Sequence, residues 1–227
     1  MGKLNVLVLG DGMLGSELVR QTGWSYVCRS NNTFDTNSIA SDLVMYKPDV
    51  IVNCIANTDT YSTDKQSHWD INYSFVDRLT DYCNSKCIKL VHISTDYLYT
   101  DSKTNASELD IPVHCNNWYG YTKLLSDGLV QLRSKNYLIC RCTHKPKPFP
   151  YESAWIDQVG NFDYVDIISG LIIKLIKSGA NGVYNVGTEV KTMYELATTT
   201  NREVSKSFTP EYVPKNQSMN IDKLNKI

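Results

Sequence analysis

The chain has 227 residues, of which 42% are hydrophobic and 21% are charged, and its 23 basic side chains nearly balance its 24 acidic ones. This length suits one domain, or a larger domain with a small appendage. The balanced charge argues against non-specific binding to nucleic acid or to an anionic membrane. No apolar run approaches the roughly 20 residues that span a bilayer, and the first residues lack a signal peptide's cleavage pattern, so we expect a cytoplasmic protein.

Apolar runs of strand length alternate with segments of helical spacing along most of the chain. The first run, LNVLVL, ends in glycine, which is typical of a buried parallel strand. Strands separated by helices predict right-handed crossovers and a doubly wound α/β fold, with a parallel Rossmann-like sheet covered on both faces. The predicted strands are Leu4–Leu9, Tyr26–Cys28, Val50–Ile55, Leu90–Ile93, Tyr137–Arg141 and Val183–Val186. The predicted helices are Met13–Gln21, Ser38–Tyr46, Ser67–Asn84, Trp118–Arg133, Ile167–Lys177 and Thr192–Thr199.

The seven cysteines are an odd number without C-x-x-C spacing, which favours a reducing compartment over a disulfide framework. Cys140, Cys142 and His144 alternate along a predicted strand, so they share one face on which zinc could bind. No fourth ligand lies at metal-site spacing, and buried strand cysteines beside a loop histidine explain the same pattern. We therefore predict no metal site.

Gly10, Gly12 and Gly15 form a G-x-G-x-x-G pattern between the first predicted strand and the first predicted helix. Glycines there allow a tight turn and close backbone approach, so that a pyrophosphate can lie on the helix N-terminus. A merely tight turn is the alternative, but the strand, turn and helix context favours a dinucleotide. The pattern thus indicates an NAD(P) cofactor.

The second predicted strand ends without the acidic residue that holds a ribose 2′-hydroxyl in NAD enzymes. Arg29 occupies that place and suits a 2′-phosphate, which favours NADP and leaves NAD possible, although an exposed arginine without this role is the alternative. Asp35 is the nearest carboxylate and is expected at the adenine edge. The full set of predicted cofactor-binding residues is Gly10, Gly12, Met13, Leu14, Gly15, Arg29, Asp35, Asn53, Ile55, Ala56, Tyr119 and Lys123.

The chain changes character after Cys142. The segment HKPKPFP has three prolines and cannot continue a helix, so it predicts a crossing loop. The part that follows is too short for a separate large domain. We predict an NAD(P)-binding domain at residues 1–142, and a small, truncated substrate-binding region at residues 143–227 that is interleaved with the last strands and helices of the core.

Four tyrosines are followed four residues later by a lysine, in the pairs Tyr61/Lys65, Tyr82/Lys86, Tyr99/Lys103 and Tyr119/Lys123. Ligands of a doubly wound sheet bind at the carboxyl ends of its strands. The pair at 82/86 is predicted at the end of a helix that runs away from that edge, and the pairs at 61/65 and 99/103 fall in polar loops. Position in the fold therefore favours the pair at 119/123.

Tyr119 and Lys123 are predicted near the start of a helix on the ligand edge, where residues i and i+4 stack on one surface. Ser94 and Thr95 end the preceding predicted strand at the same edge. A lysine ammonium about 4 Å away can lower a tyrosine pKa from about 10 toward 7, which takes about 4 kcal/mol. An ordinary surface pair is the alternative, and the nearby nucleotide turn argues against it.

The glycine turn is accompanied by the segments VNCIANTD, STDYLY, WYGYTKLLSD, DQVGNFDYVD, GVYNVG and PKNQSMNIDKL. This series resembles the extended short-chain dehydrogenase/reductases, and within them the dTDP-4-dehydrorhamnose reductases. The resemblance implies that Thr95, Tyr119 and Lys123 are catalytic: Tyr119 donates a proton to a keto oxygen that Thr95 holds, while Lys123 binds the nicotinamide ribose and tunes Tyr119. It further implies hydride transfer from NAD(P)H to C4 of a nucleotide-linked 4-keto-6-deoxyhexose, in rhamnose-type biosynthesis. A homodimer is one expected assembly.

The chain departs from that family at two points. The family's turn is usually G-x-x-G-x-x-G, one residue longer, and the segment between CRCT and DQVGN is shorter by roughly one helix in a part that builds the sugar-nucleotide pocket. Two alternatives stay open. One is a bifunctional epimerase and 4-reductase acting on a UDP-sugar, with Tyr97, His114 and Cys115 as loose candidates for which loop packing is the favoured interpretation. The other is a non-catalytic NADP-binding regulatory protein.

Overall fold

The computed structural model describes residues 4–99, 105–108 and 117–227. Within them the helices are α1 (Met13–Thr22), α2 (Ile39–Leu43), α3 (Lys65–His68), α4 (Phe75–Lys86), α5 (Trp118–Arg133), α6 (Val165–Lys177), α7 (Met193–Thr198) and α8 (Asp222–Asn225). A π-helical turn at Trp69–Ser74 joins α3 to α4, and a 3₁₀ turn covers Asp96–Tyr99. The strands are β1 (Val6–Leu9), β2 (Ser25–Val27), β3 (Val50–Asn53), β4 (Lys89–Ser94), β5 (Tyr137–Arg141), β6 (His144–Lys145), β7 (Ser153–Trp155), β8 (Val159–Gly160), β9 (Asp163–Tyr164), β10 (Gly182–Asn185), β11 (Lys191–Thr192), β12 (Ser205–Ser207) and β13 (Asn216–Gln217).

Six parallel strands form the central sheet, in the order β10-β5-β4-β3-β1-β2. Strands β1 and β3 are buried along their whole length, because helices cover both faces of the sheet. Their neighbour β4 extends the same row, so the carboxyl ends of β1, β3 and β4 form one continuous edge. The predicted doubly wound α/β fold is confirmed.

Two apolar clusters close the faces of this sheet. One contains Leu18 of α1 and Ile172 of α6, and these two helices contact each other. The other contains Leu79 of α4 and Val130 of α5, which also pack together. None of the helices in the described ranges combines the length and the apolarity needed to cross a bilayer. Because both faces are filled, the open approach to the sheet is its carboxyl edge.

The predicted helix at residues 67–84 is longer and irregular. It begins two residues earlier, at Lys65, with Asp64 capping its first turn. The π-helical turn interrupts it and places Asn72 in the interior, where the side-chain amide donates a hydrogen bond to Asn57 O at 3.0 Å. Such turns occur frequently at functional sites.

The proline segment predicted as a crossing loop has no strand at residues 146–152, and the short strands β6 and β7 lie at its two ends. β6 pairs with β9, β7 pairs with β12, and β8 lies between β11 and β13. A separate apolar cluster that includes Phe149, Phe162, Tyr164 and Leu196 holds them together. The partners of these strands are distant in sequence, so no local periodicity indicated them. Strand β10 rejoins the central sheet beside β5, and a domain boundary at residue 142 stays a prediction.

Candidate active site

The glycine turn joins β1 to α1. Gly10 has a φ of +97°, a conformation that favours glycine, and its N–H donates to Val27 O at 2.9 Å. A Cβ at Gly15 would lie 2.1 Å from Gly10 O, so this position also requires glycine. A Cβ at Gly12 would meet nothing within 4 Å. Gly10 and Gly15 are therefore required by the turn itself. Gly12 leaves the outer surface of the turn open, so that a ligand can approach the backbone closely.

Helix α1 begins at Met13 with no capping side chain and no acidic residue in its first turn. Its first N–H groups have no partners within the helix and carry the positive end of the helix dipole, so they favour an anionic ligand. Leu14 is buried in the core and Met13 is exposed. The side chain of Leu14 thus belongs to the core, and its backbone to the turn.

A cavity of about 1100 Å³ opens beside this turn. The predicted cofactor residues that line it are Gly10, Gly12, Arg29, Asp35, Ile55 and Ala56. Asn53 lies below the groove, where its side-chain oxygen accepts a hydrogen bond from Ile55 N at 3.1 Å. The glycine cradle, the uncapped helix and the size of the groove fit a dinucleotide.

Asp11 and Ser30 also line the groove, and sequence reasoning missed both. The Ser30 hydroxyl donates a hydrogen bond to the Asp11 carboxylate, which holds the pKa of Asp11 below its usual range. The bond ties the glycine turn to the segment after β2, next to Arg29. The available signal was the carboxylate itself, placed between two glycines of the pattern.

Three predicted catalytic residues come together at the carboxyl edge of β4. Tyr119 is the second residue of α5, and Asn117 caps this helix by accepting a backbone hydrogen bond at 2.7 Å. Thr95, which directly follows β4, lies near the phenol of Tyr119 and acts to lower its pKa. Lys123, one turn further along α5, is 2% exposed, and its Nζ donates to Ile93 O at 2.6 Å. The arrangement brings a hydroxyl, a phenol and an ammonium to one edge.

Burial dominates the electrostatics of this site. It raises the pKa of Tyr119 to about 12, and the Thr95 side chain opposes the rise. It lowers the pKa of Lys123 to about 8, and the Asp127 carboxylate opposes that fall. The expectation that Lys123 lowers the pKa of Tyr119 toward 7 is wrong for this structure, because desolvation of the phenol outweighs the opposing effect of Thr95. The protonated phenol that results is the form able to donate a proton.

A buried polar network supports Lys123 from below. His92 is fully buried, and its Nε2 lies 3.4 Å from Lys123 Nζ and 3.3 Å from Ser126 Oγ. Its Nδ1 lies 3.5 Å from the side-chain nitrogen of Asn53. Burial holds the pKa of His92 well below its usual range, and Lys123 adds to this effect. The imidazole is therefore neutral and can accept a hydrogen bond from the ammonium.

Asp96 follows Thr95 directly and was not among the predicted site residues. It is fully buried, and one of its carboxylate oxygens accepts a hydrogen bond from the Thr143 hydroxyl. The other oxygen has no hydrogen-bond partner among the described residues. Burial raises the pKa of Asp96. Asp96 is part of the STDY segment, but it stands out from other carboxylates only by its burial, which the sequence does not show.

The other tyrosine–lysine pairs lie elsewhere. Tyr82 and Lys86 belong to the last turns of α4, away from the ligand edge. Tyr99 is buried, and its hydroxyl donates to Asn185 Oδ1 at 2.9 Å. Tyr61 lies in the exposed loop before α3. None of these three tyrosines has the helix-start position of Tyr119.

The loose candidates for epimerisation fall into two groups. The ring of Tyr97 meets that of Tyr119 edge to face, with centroids 5.9 Å apart. His114 and Cys115 lie outside the described residues, as does Lys103. Only Tyr97 can therefore be placed beside the reaction centre.

The cysteines considered for zinc are core residues. Cys140 and Cys142 are buried in the apolar cluster beneath α1 and α6. Across the part of the chain that the structure describes, no group of three or more His, Cys, Asp or Glu side chains is placed to hold a metal ion.

Comparison with known proteins places the chain in a family. Residues 4–144, more than half of the chain, match the model of the RmlD substrate binding domain. The spore coat polysaccharide biosynthesis protein SpsK of Bacillus subtilis is 28% identical over 218 residues, which are 85% of this chain and 77% of that protein.

Two solved structures share the fold. The dTDP-4-dehydrorhamnose reductase of Bacillus anthracis in complex with NADP has a TM-score of 0.83 at 22% identity, covering 99% of this chain and 93% of that one. MoeE5 in complex with UDP-glucose and NAD has a TM-score of 0.79 at 18% identity, covering 98% and 91%.

A Rossmann-like sheet with a glycine turn and a Thr, Tyr and Lys set at its carboxyl edge defines an NAD(P)-dependent oxidoreductase of the short-chain dehydrogenase/reductase class. Within this class, the chain belongs to the RmlD-like family of extended enzymes. The resemblance drawn from the sequence is confirmed.

Proposed function

We propose that the protein catalyses the NADPH-dependent reduction of the C4 keto group of a nucleotide-linked 4-keto-6-deoxyhexose. The observation that carries the proposal is that Tyr119 lies near Thr95 at the carboxyl edge of β4, one helical turn before Lys123, whose Nζ is fixed by Ile93 O. A protein that only bound a dinucleotide would gain nothing from a proton donor at this place.

The groove beside the glycine turn would hold the cofactor, with Gly12 and the start of α1 at the pyrophosphate and Arg29 at the 2′-phosphate. Bound NADPH supplies the hydride. The B. anthracis enzyme holds NADP and MoeE5 holds NAD, which supports NADP as the first choice and NAD as the second.

The side chains of the site supply the proton and the positioning. Tyr119 donates its phenolic proton to the oxygen that becomes the C4 hydroxyl, and burial keeps the phenol protonated for this step. The Thr95 hydroxyl orients the same oxygen. Lys123, fixed by Ile93 O and His92, would bind the nicotinamide ribose.

The proposal is tested by mixing the protein with NADPH and 4-keto-6-deoxy sugars linked to dTDP, UDP or GDP, and following the absorbance of the reduced nicotinamide. Tyr119→Phe should reduce turnover by roughly 100-fold or more, because it removes a general acid. NADPH affinity should stay unchanged. Tyr82→Phe, from a pair of the same spacing away from the ligand edge, is the matched control and should keep full turnover.

Two results would contradict the proposal. If Tyr119→Phe turns over like the unaltered protein, Tyr119 is not the proton donor. If NADPH binds and no sugar in the panel oxidises it, the non-catalytic binding protein becomes the better hypothesis.

A further inference from the structure

Four tyrosine rings form a row from the candidate active site to the surface. Tyr119 and Tyr97 meet edge to face, and the hydroxyls of Tyr97 and Tyr61 lie 3.4 Å apart. The rings of Tyr61 and Tyr212 then meet edge to face, with centroids 5.2 Å apart. At the outer end, Tyr61 is 50% exposed and Tyr212 is 66% exposed. The row therefore leads from the proposed proton donor to solvent.

Tyr212 lies on an anchored turn. The N–H of Val213 donates to Pro210 O at 3.0 Å, which closes the turn around Tyr212. The Asp157 carboxylate fixes one end by accepting hydrogen bonds from the N–H and the hydroxyl of Thr209, both at 2.7 Å. It fixes the other end through an ion pair with Lys215 at 2.9 Å. The backbone that carries the exposed ring is thus held on both sides.

Tyr61 comes from a different part of the chain, the loop between β3 and α3. The N–H of Ser62 donates to Asp59 O at 3.2 Å, and Asp64 caps α3 just beyond. Two aromatic side chains from distant segments are therefore held in contact although much of each ring faces water. A tyrosine combines an apolar ring with a polar hydroxyl, so a partly exposed pair of this kind suits a binding surface.

Building on the proposed function, we propose that Tyr61 and Tyr212 form an aromatic clamp that binds the base of the nucleotide-linked substrate. The nucleotide sugar extends along the row with its keto carbon at Tyr119, its hexose beside Tyr97 and its base at the outer pair. The base is the planar aromatic part of such a substrate, and an aromatic ring packs on tyrosine faces by stacking or edge contact. The hexose is rich in hydroxyls, which need polar partners such as Thr95.

The clamp favours binding because its two side chains are already held in place before the base binds. Tyrosine has few rotatable bonds, and anchored loops already hold both residues, so the entropy cost of fixing the base is small. Stacking on a tyrosine does not read hydrogen-bonding edges, so the clamp should accept thymine and uracil alike. Selectivity for one base must then arise elsewhere.

The clamp is tested with dTDP and UDP as probes, in titration calorimetry on the full chain. Tyr212→Ala and Tyr61→Ala should each weaken the binding of both nucleotides about tenfold, while Tyr212→Phe should keep it. Phe208→Ala removes another exposed aromatic ring, 73% exposed and four residues before Tyr212, and serves as the matched control that should bind like the unaltered protein. NADPH affinity and the urea midpoint should stay constant in all four variants.

The outcomes separate this inference from the proposed function. If dTDP binds equally to the unaltered protein and to both alanine variants, the clamp is wrong, while reduction of keto sugars is untouched. If the alanine variants lose nucleotide affinity but no keto sugar is reduced, the clamp stands and the proposed reaction fails. If the unaltered protein binds neither dTDP nor UDP, the clamp is overturned.

Discussion

The two parts of the chain reach their structures by different means. Up to β5, strands of three to six residues alternate with helices, and neighbouring segments of sequence pack against each other. From β6 onward, seven of the eight strands have only two or three residues and pair outside the central sheet. The first part is thus stabilised by continuous apolar layers, and the second by a smaller apolar cluster together with individual polar contacts between distant residues. Substitutions should expose this difference.

The largest loss of stability is expected in the first part, at the Arg141–Asp127 pair. Arg141 Nη2 lies 2.8 Å from Asp127 Oδ1, and both side chains are almost fully buried. Arg141→Met leaves a carboxylate uncompensated in the interior, so the free energy of unfolding should fall by about 3–5 kcal/mol. Urea denaturation followed by circular dichroism measures the loss, which should appear as one cooperative transition.

Two variants control this prediction. The double variant Arg141→Met, Asp127→Leu removes both charges and should recover most of the stability. Arg133→Ala breaks the exposed pairs with Asp77 and Asp81 and should cost less than about 1 kcal/mol. If Arg141→Met and Arg133→Ala lowered the free energy of unfolding equally, the prediction that the buried pair contributes more would be contradicted.

A smaller and more local loss is expected in the second part, at Asn161. Its side chain is buried, accepts a hydrogen bond from Met219 N at 2.6 Å and donates one to Thr188 O at 2.7 Å. Asn161→Ala strands both backbone groups, which should cost about 2 kcal/mol. Hydrogen exchange should show faster exchange at residues 216–220 than in β1 and β3. Asn201→Ala removes two exposed contacts, one of 3.5 Å to Tyr151 O and a 3.1 Å hydrogen bond from Glu203 N, and should change stability by less than about 1 kcal/mol.

The smallest effect concerns pH and His144, at the start of the second part. Burial lowers the pKa of His144 to about 4, below the value of about 6.5 in the unfolded chain. Below pH 6.5 the unfolded chain binds a proton that the folded chain does not, so stability falls as the pH is lowered toward 4. Between pH 7 and pH 5.5 this group should cost about 1 kcal/mol.

The measurement compares urea midpoints at the two pH values. His144→Asn should lose less stability on acidification than the unaltered protein, because one of the histidines with a lowered pKa is gone. His92 has the same sign of effect in the first part and remains in both proteins. An identical pH dependence for the two proteins would show that His144 does not titrate as its burial requires.

The sequence predicted those features that depend on a few neighbouring residues. The apolar runs of β1 and β3 and the glycine turn were recognisable because a few adjacent residues determine them. Part of the site geometry was also predicted from the sequence, because Thr95, Tyr119 and Lys123 lie at one edge of the sheet as expected. Their catalytic roles stay predictions. Burial could not be read from spacing, so the raised pKa of Tyr119, the neutral His92 and the buried Asp96 were missed. The pairing of β8 with β11 and β13 depends on contacts across tens of residues.

The position of β10 has a consequence for how the chain acquires its structure during synthesis. Among the described residues, this strand forms one border of the central sheet and pairs only with β5, yet it lies at residues 182–185, some forty positions later. Until they leave the ribosome, one edge of β5 is unpaired, although Leu138, Ile139 and Cys140 of this strand are buried in the folded protein. Such an edge is open to mispairing with other chains. The nascent protein therefore passes through an aggregation-prone interval that ends when β10 docks.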